Sequence, residues 1–201
     1  MKKFYLVLFS MTLVVDSFAA FESTYEPLQF EKVLFINGNI LDGEGNELLD
    51  TDLLIGDGKI IAIGKGISVE DKDVKIIDAR NKWITPGIID IHSHMGVYPA
   101  PSVRTSSDGN EATSPVTAEV WAEHSMWVQD PQYALALKGG VTTFHVLPGS
   151  ANLIGGRGVT VKNLQRNTIQ SMKYPDAKHS LKICLLYTSP SPRDLSTSRM
   201  P

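Results

Sequence analysis

The sequence predicts an α/β fold, and three features predict it. Residues 32–83 alternate short apolar runs with Gly, Asp and Asn. A break at Pro86-Gly87 precedes the apolar run Ile88-Ile89-Asp90-Ile91, and from there the chain reads strand, loop, helix, strand. A connection of that length crosses over, so the two strands it joins are expected to be parallel neighbours.

Ahead of these elements the chain reads as an export leader. Lys2-Lys3 make a positive start, Phe4 to Val15 an apolar run of 12 residues, and Ser17-Phe18-Ala19 a small-x-small cleavage site. A bilayer span takes about 20 residues, so residues 1–19 are read as a cleaved signal peptide, the alternative being a permanent N-terminal anchor. The mature protein is then periplasmic or secreted, with no stable membrane span. Residues 20–31 are polar and mixed and read as a linker. From Lys32 to Trp83 the runs are β-like. Leu53 to Ile63 is expected to be a hairpin, because Asp57-Gly58 supplies turn residues that tolerate positive φ between two apolar runs. Val74 to Asp78 completes a β unit of about 50 residues, thin for an independent domain.

Ile88 to Ile91 has the texture of a strand buried on both faces of a sheet. After the polar loop Pro99 to Ser114, two helices are expected. The first takes Ser114 as N-cap and Pro115 as its first residue and runs to Trp127. The second takes Asp130 as N-cap, with Pro131 next and Gly139-Gly140 as its stop. Val141 to Leu147 is the following strand, and Leu181-Lys182-Ile183-Cys184 begins another. Residues 185–201 turn rich in Ser, Pro and Arg, a composition that argues for disorder. That stretch resembles translated cloning sequence and is expected to be non-native.

Composition narrows the function classes. The formal net charge is −3, and it becomes −4 once Lys2, Lys3 and Asp16 leave with the leader. Such weak acidity gives no case for nucleic-acid binding, which calls for a basic patch. One cysteine, Cys184, forms no internal disulfide, so export into an oxidising compartment is compatible with the chain but disulfides do not stabilise it.

The chemistry concentrates in Asp90-Ile91-His92-Ser93-His94. Side chains two apart on a strand share a face, so His92 and His94 present two imidazoles together, half of a metal site. A bare His-x-His pair also arises by chance. This one ends an apolar strand after a Pro-Gly break and leads into a long polar loop, the place where parallel barrels build their sites. His145 ends the next strand and is a candidate substrate contact or a hydrogen-bonded structural residue. Arg157, in Gly155-Gly156-Arg157-Gly158, is a candidate to bind a substrate carboxylate, since glycines let backbone approach closely and guanidinium pairs with carboxylate bidentately. The other reading is a tight loop with a solvated arginine. His124, near Trp121 and Trp127, reads as a surface or packing residue, and His179 lies in a polar turn.

The stretch Thr85 to His94 resembles the first-strand motif of the amidohydrolase superfamily, and Gly139-Gly140-Val141-Thr142-Thr143 resembles its second. Gly149 to Gly158 is similar to the imidazolonepropionase-like and dipeptidase-like branch of exported enzymes. The resemblance covers residues 32–184. It implies that 32–83 is part of a β-sandwich and 84–184 the start of a (β/α)8 TIM-type barrel, the whole being an N-terminal fragment. It implies one or two divalent ions, zinc foremost, held first by His92 and His94, with Lys182 a candidate bridging lysine or else a solvated one. The implied reaction on a small-molecule substrate is hydrolysis of a C–N bond, in a cyclic amide, an amide or a small dipeptide, by metal-activated water. The general base and remaining ligands are expected on later strands, so the fragment itself is expected to be inactive. The alternative is an exported, non-catalytic binding or scaffold protein whose His pair is vestigial.

Overall fold

In the computed structural model, which describes residues 20–28 and 31–184, the first sheet is built on β1 (Val33–Leu41). It pairs antiparallel with β2 (Glu47–Gly56), and β2 with β3 (Lys59–Gly64). β4 (Lys75–Asp78) and β5 (Trp83–Ile84) both add to β1 in parallel. The expected leader 1–19, the expected tail 185–201 and residues 29–30 of the expected linker lie outside the described residues. The hairpin forms where Asp57-Gly58 predicts it, with φ of 51° and 71° at the two turn residues. β1 is not the regular strand its apolar residues suggest. Asn37 has φ of 61° and the pairing shifts register around Gly38.

Buried Asp52 holds this irregularity in place by accepting hydrogen bonds from the Asn37 amide (3.0 Å) and the Ile67 amide (3.1 Å). The Asn37 bond, more than any other cause, lowers the Asp52 pKa below its ordinary 3.8, against the opposing effect of burial. A carboxylate whose folded pKa is depressed contributes stability above its unfolded pKa and loses it as pH falls through the folded value. Asp52→Asn is therefore expected to flatten the fall of thermal stability below about pH 4, measured by melting from pH 7 to pH 2. An unchanged acid limb would show that Asp52 does not anchor the bulge.

The second sheet has the order β6-β7-β8-β9, from β6 (Ile88–Ser93), β7 (Val141–Val146), β8 (Ile154–Lys162) and β9 (Ser180–Ile183). β6 and β7 are parallel, as the long connection predicts. β8 is antiparallel to both neighbours, so β9 runs with β6 and β7 while the sheet as a whole is mixed. One face is the core. Phe144 and Val146 of β7 and Val159 and Val161 of β8 pack with Tyr133 of α1 (Gln132–Lys138) and with Ile169 and Met172 of α2 (Ile169–Met172). Burying each such side chain contributes about 1.5–3 kcal/mol. Helix α1 begins one residue later than expected, with Pro131 as its N-cap, and the Asp130 carboxylate accepts the Gln132 amide at 3.0 Å. None of the helices among the described residues is long and apolar enough to cross a membrane.

Four expectations are corrected. Residues 114–127 do not form a helix. Val116 and Trp121 bridge to Ile154 and Arg157, and only the 3₁₀ turn Ala122–His124 is helical. Backbone bonds from Thr117 to Ile154 (2.8 Å) and from Arg157 to Val120 (2.7 Å) outweigh the local capping signals. The glycine-rich stretch around Arg157 is not a loop but the start of β8. Gly156 has φ of 114°, and a Cβ there would stand 2.6 Å from the Val120 carbonyl oxygen, so the glycines are what let strand and loop touch. Ile88, Ile89 and Ile91 are exposed (54%, 62% and 77%) rather than buried on both faces, because among the described residues β6 pairs only with β7 and no named helix or second sheet layer packs over it. The expected linker is not free chain either: residues 21–26 bond to Glu123, Gln170 and Lys173.

Candidate metal centre

β6 loses its regular register between Asp90 and Ser93, where the Asp90 carboxylate accepts the His92 amide at 3.1 Å. The two imidazoles come out side by side, with centroids 5.3 Å apart and planes at 84°. His94 Nδ1 lies 2.9 Å from the Leu147 carbonyl oxygen. A carbonyl only accepts, so Nδ1 carries a proton, and in the neutral ring it is Nε2 that keeps the lone pair a metal would take. His92 Nε2 lies 3.1 Å from Lys182 Nζ. An ammonium only donates, so this nitrogen too presents a lone pair. Burial, then the positive charges of Lys182 and His94, hold the His92 pKa below its ordinary 6.5, with Asp90 opposing. The neutral imidazole is thereby favoured.

Lys182 is buried on β9 (8% exposed), and no carboxylate pairs with it among the described residues. Ser180, two residues earlier, shares its face and lies 2.6 Å from His145 Nε2, while Thr160 Oγ1 lies 2.9 Å from His145 Nδ1. Both ring nitrogens of His145 are thus occupied by hydroxyls. Burial, then the charges of His179 and His92, lower the His145 pKa. His92, His94, Lys182 and His145 therefore cluster at one side of the sheet. Arg157 stands apart. It pairs directly with Leu181 across the β8–β9 ladder, which places it on the face opposite Lys182, and its guanidinium lies 4.8 Å from the Trp121 ring centroid. His179 donates from Nδ1 to the Gly158 carbonyl (2.8 Å) and meets Trp121 edge-on.

The loop after His94 is fixed by a residue that sequence reading assigned only to helix capping. Buried Asp130 accepts the amides of Gly96 (3.1 Å) and Ala100 (3.2 Å) as well as that of Gln132. Gly96 has φ of 80°, and a Cβ there would fall 2.3 Å from Tyr133 Oη, a buried hydroxyl with no partner among the described residues. Gly96→Ala is expected to cost about 1–3 kcal/mol from left-handed strain and overpacking. It should also weaken cation binding, since the residue is two positions from His94. Urea unfolding and metal titration check the two effects, and an alanine variant equal to wild type in both would refute the geometry.

Beyond that loop, the Tyr98 ring packs edge-on to His94 at 5.7 Å. Asn110 donates to Tyr98 Oη while its Oδ1 accepts the Ala151 amide. Asn110 also lines a cavity of about 390 Å³ whose wall includes Asp108, Trp121, His124 and Pro148. Sequence reading missed the Leu147 carbonyl, Ser180, Thr160 and Tyr98, which lie far from the His pair in sequence or carry no motif.

Among the described residues, no three His, Cys, Asp or Glu side chains converge on one point. Two imidazoles that present Nε2 lone pairs, that of His92 facing the Lys182 ammonium, and one buried amine without a carboxylate partner fit part of a divalent-metal ligand set, and a catalytic site typically takes three protein ligands.

No family model matches the chain. The crystal structure of an amidohydrolase from Thermotoga maritima MSB8 superimposes with a TM-score of 0.68 at 34% identity, over 83% of this chain and 42% of that one. Among curated proteins, Amidohydrolase tasK of Hapsidospora irregularis is 36% identical over 114 residues, 56% of this chain and 12% of the relative. A dihydroorotase of Bacillus cytotoxicus is 35% identical over 117 residues, 58% and 21% respectively. The chain thus spans no more than about a fifth of these curated relatives. Motif, backbone and sequence likeness agree, and these relatives and structural neighbours are amidohydrolases.

Proposed function

We propose that the whole protein is an exported, metal-dependent hydrolase that cleaves a C–N bond in a small cyclic amide, amide or dipeptide. One observation carries this reading. Two imidazole lone pairs and a buried, uncompensated lysine meet where the parallel strands β6 and β9 end, the end at which parallel barrels build their sites. In this reading β6, β7 and β9 are barrel staves, β8 is a reversed strand among them, and the first sheet is part of a β-sandwich. Relatives named dihydroorotase and amidohydrolase support C–N chemistry. The narrower reading, an imidazolonepropionase-like or dipeptidase-like enzyme, rests on the sequence resemblance of Gly149 to Gly158.

His92 and His94 would hold one or two divalent ions, zinc foremost, with Lys182 as the next ligand. A neutral amine takes up CO2 to form a carbamate and release a proton, which would turn Lys182 from a buried cation into an anionic ligand. The bound cation supplies a Lewis acid that polarises the carbonyl and lowers the pKa of water toward about 7. The Leu147 carbonyl orients the His94 ring and the Asp90 carboxylate the backbone of His92, as outer hydrogen bonds commonly do for metal-binding histidines. His145, tied at both nitrogens, holds Ser180 and hence the strand that carries Lys182.

The test uses the whole protein against a panel of cyclic amides, linear amides and dipeptides, before and after chelation and with zinc restored. Hydrolysis that is abolished by the chelator and recovered with zinc is expected. Activity indifferent to chelation overturns the metal role. A metal-loaded protein inert across the panel favours the non-catalytic scaffold reading instead.

A further inference from the structure

The best-made polar cluster outside the metal centre joins the start of the described chain to Glu123 and Lys173. Glu123 and Lys173 form an ion pair at 2.8 Å with side chains 0% and 8% exposed. Taking two charges out of water is offset only when their remaining lone pairs and protons find good partners. Here the partners are both polar groups of one residue far away in sequence. The Phe21 amide donates to Glu123 Oε1 at 3.0 Å, and Lys173 Nζ donates to the Phe21 carbonyl. The contact continues along the chain. Ser23 Oγ donates to the Lys173 carbonyl (2.7 Å), the Thr24 amide to the Gln170 carbonyl (3.0 Å), and Arg166 to the Glu26 carbonyl (3.3 Å). The Phe21 ring packs 5.0 Å from His124, and Lys162 Nζ lies 4.8 Å from the Tyr25 ring centroid. Most of these bonds read backbone, so they register a seated extended segment.

Glu123 sits in the 3₁₀ turn Ala122–His124, and Trp121, Ala122, His124 and Ser125 around it form one wall of the cavity that Asn110 also lines. We propose that the Glu123–Lys173 pair is a built slot for residues 20–26, and that the seated segment is a strap holding the loop 119–125 in the shape that walls this cavity. Under the export reading, the strap opens with the first residue after the cleavage site. The coupling of strap to loop stands independently of the hydrolase reading, because it is measured without activity.

Hydrogen exchange followed by mass spectrometry on the full chain tests it. In wild type, amides of residues 21–24 are expected to exchange at least about tenfold slower than free chain. Phe21→Pro removes the amide hydrogen that Glu123 accepts while leaving both side chains of the buried pair in place. Lys173→Met leaves Glu123 without its counter-charge. In both variants exchange is expected to rise about tenfold or more in residues 22–24 and in 119–125 together, with β7, residues 141–146, unchanged. Free-chain rates at 21–24 in wild type overturn the slot. A loop 119–125 that stays protected when Phe21→Pro releases the strap overturns the coupling. Should Lys173→Met unfold the whole domain, exchange in Phe21→Pro, whose substitution lies at a partly exposed residue, decides the matter alone.

Discussion

Replacing His92 or His94 by alanine is expected to lower the affinity of the whole protein for zinc by at least about 100-fold, or about 2.7 kcal/mol. Each ring presents a lone pair on Nε2 with the other atoms of its surroundings already arranged. His94 is oriented by the Leu147 carbonyl, and His92 is kept neutral by its partial burial and the neighbouring positive charges. Removing either ring takes away a donor that no neighbour can replace, since among the described residues no third His, Cys, Asp or Glu joins them. His145→Ala is the informative control. Both of its nitrogens are occupied by Thr160 and Ser180, so its loss should cost less affinity than either ligand, of the order of the tenfold seen for supporting residues. Competition against a chelator of known affinity measures all three. Equal affinities for wild type and both ligand variants would remove the metal centre from this site.

The largest effect on stability is expected from Phe144→Ala, about 3–5 kcal/mol. Phe144 is fully buried on β7 and packs against Tyr133 of α1 with ring centroids 5.9 Å apart. Strand alternation sends His145, its neighbour in sequence, to the other face. The same strand therefore carries the core and the site back to back. Thr142→Ala, at an exposed position of β7, should stay within about 0.5 kcal/mol. Urea midpoints separate the two, and a Phe144→Ala variant that unfolds with wild type would show that the sheet does not pack on α1 as described.

What could be read from sequence was what is decided locally. The Asp57-Gly58 turn, the start of α1 beside Asp130 and the side-by-side placement of His92 and His94 each depend on residues within a few positions of one another. Residues 114–127 went the other way because Ser114-Pro115 is a true helix-start signal that non-local pairing with β8 overrides. Gly155, Gly156 and Gly158 suggested a loop because sequence cannot show the Val120 carbonyl, the Leu147 side chain or the Ser180 hydroxyl that a Cβ at Gly156 or Gly158 would strike. The partnership of Lys182 with His92 spans 90 residues, and that of Phe21 with Glu123 spans 102. No local pattern announces contacts so distant. The apolar run Ile88 to Ile91 marked a strand correctly and left open what lies over it.

That last strand bears on how the chain behaves in solution. An outer strand with unsatisfied main-chain groups on one side and three wet isoleucines is a template on which a second extended segment can zip. The amount of dispersed material should therefore depend on protein concentration as well as on temperature. A lysine placed at Ile91, the most solvent-accessible of the three, would raise the concentration at which clusters form while leaving the packed side of the sheet as it is.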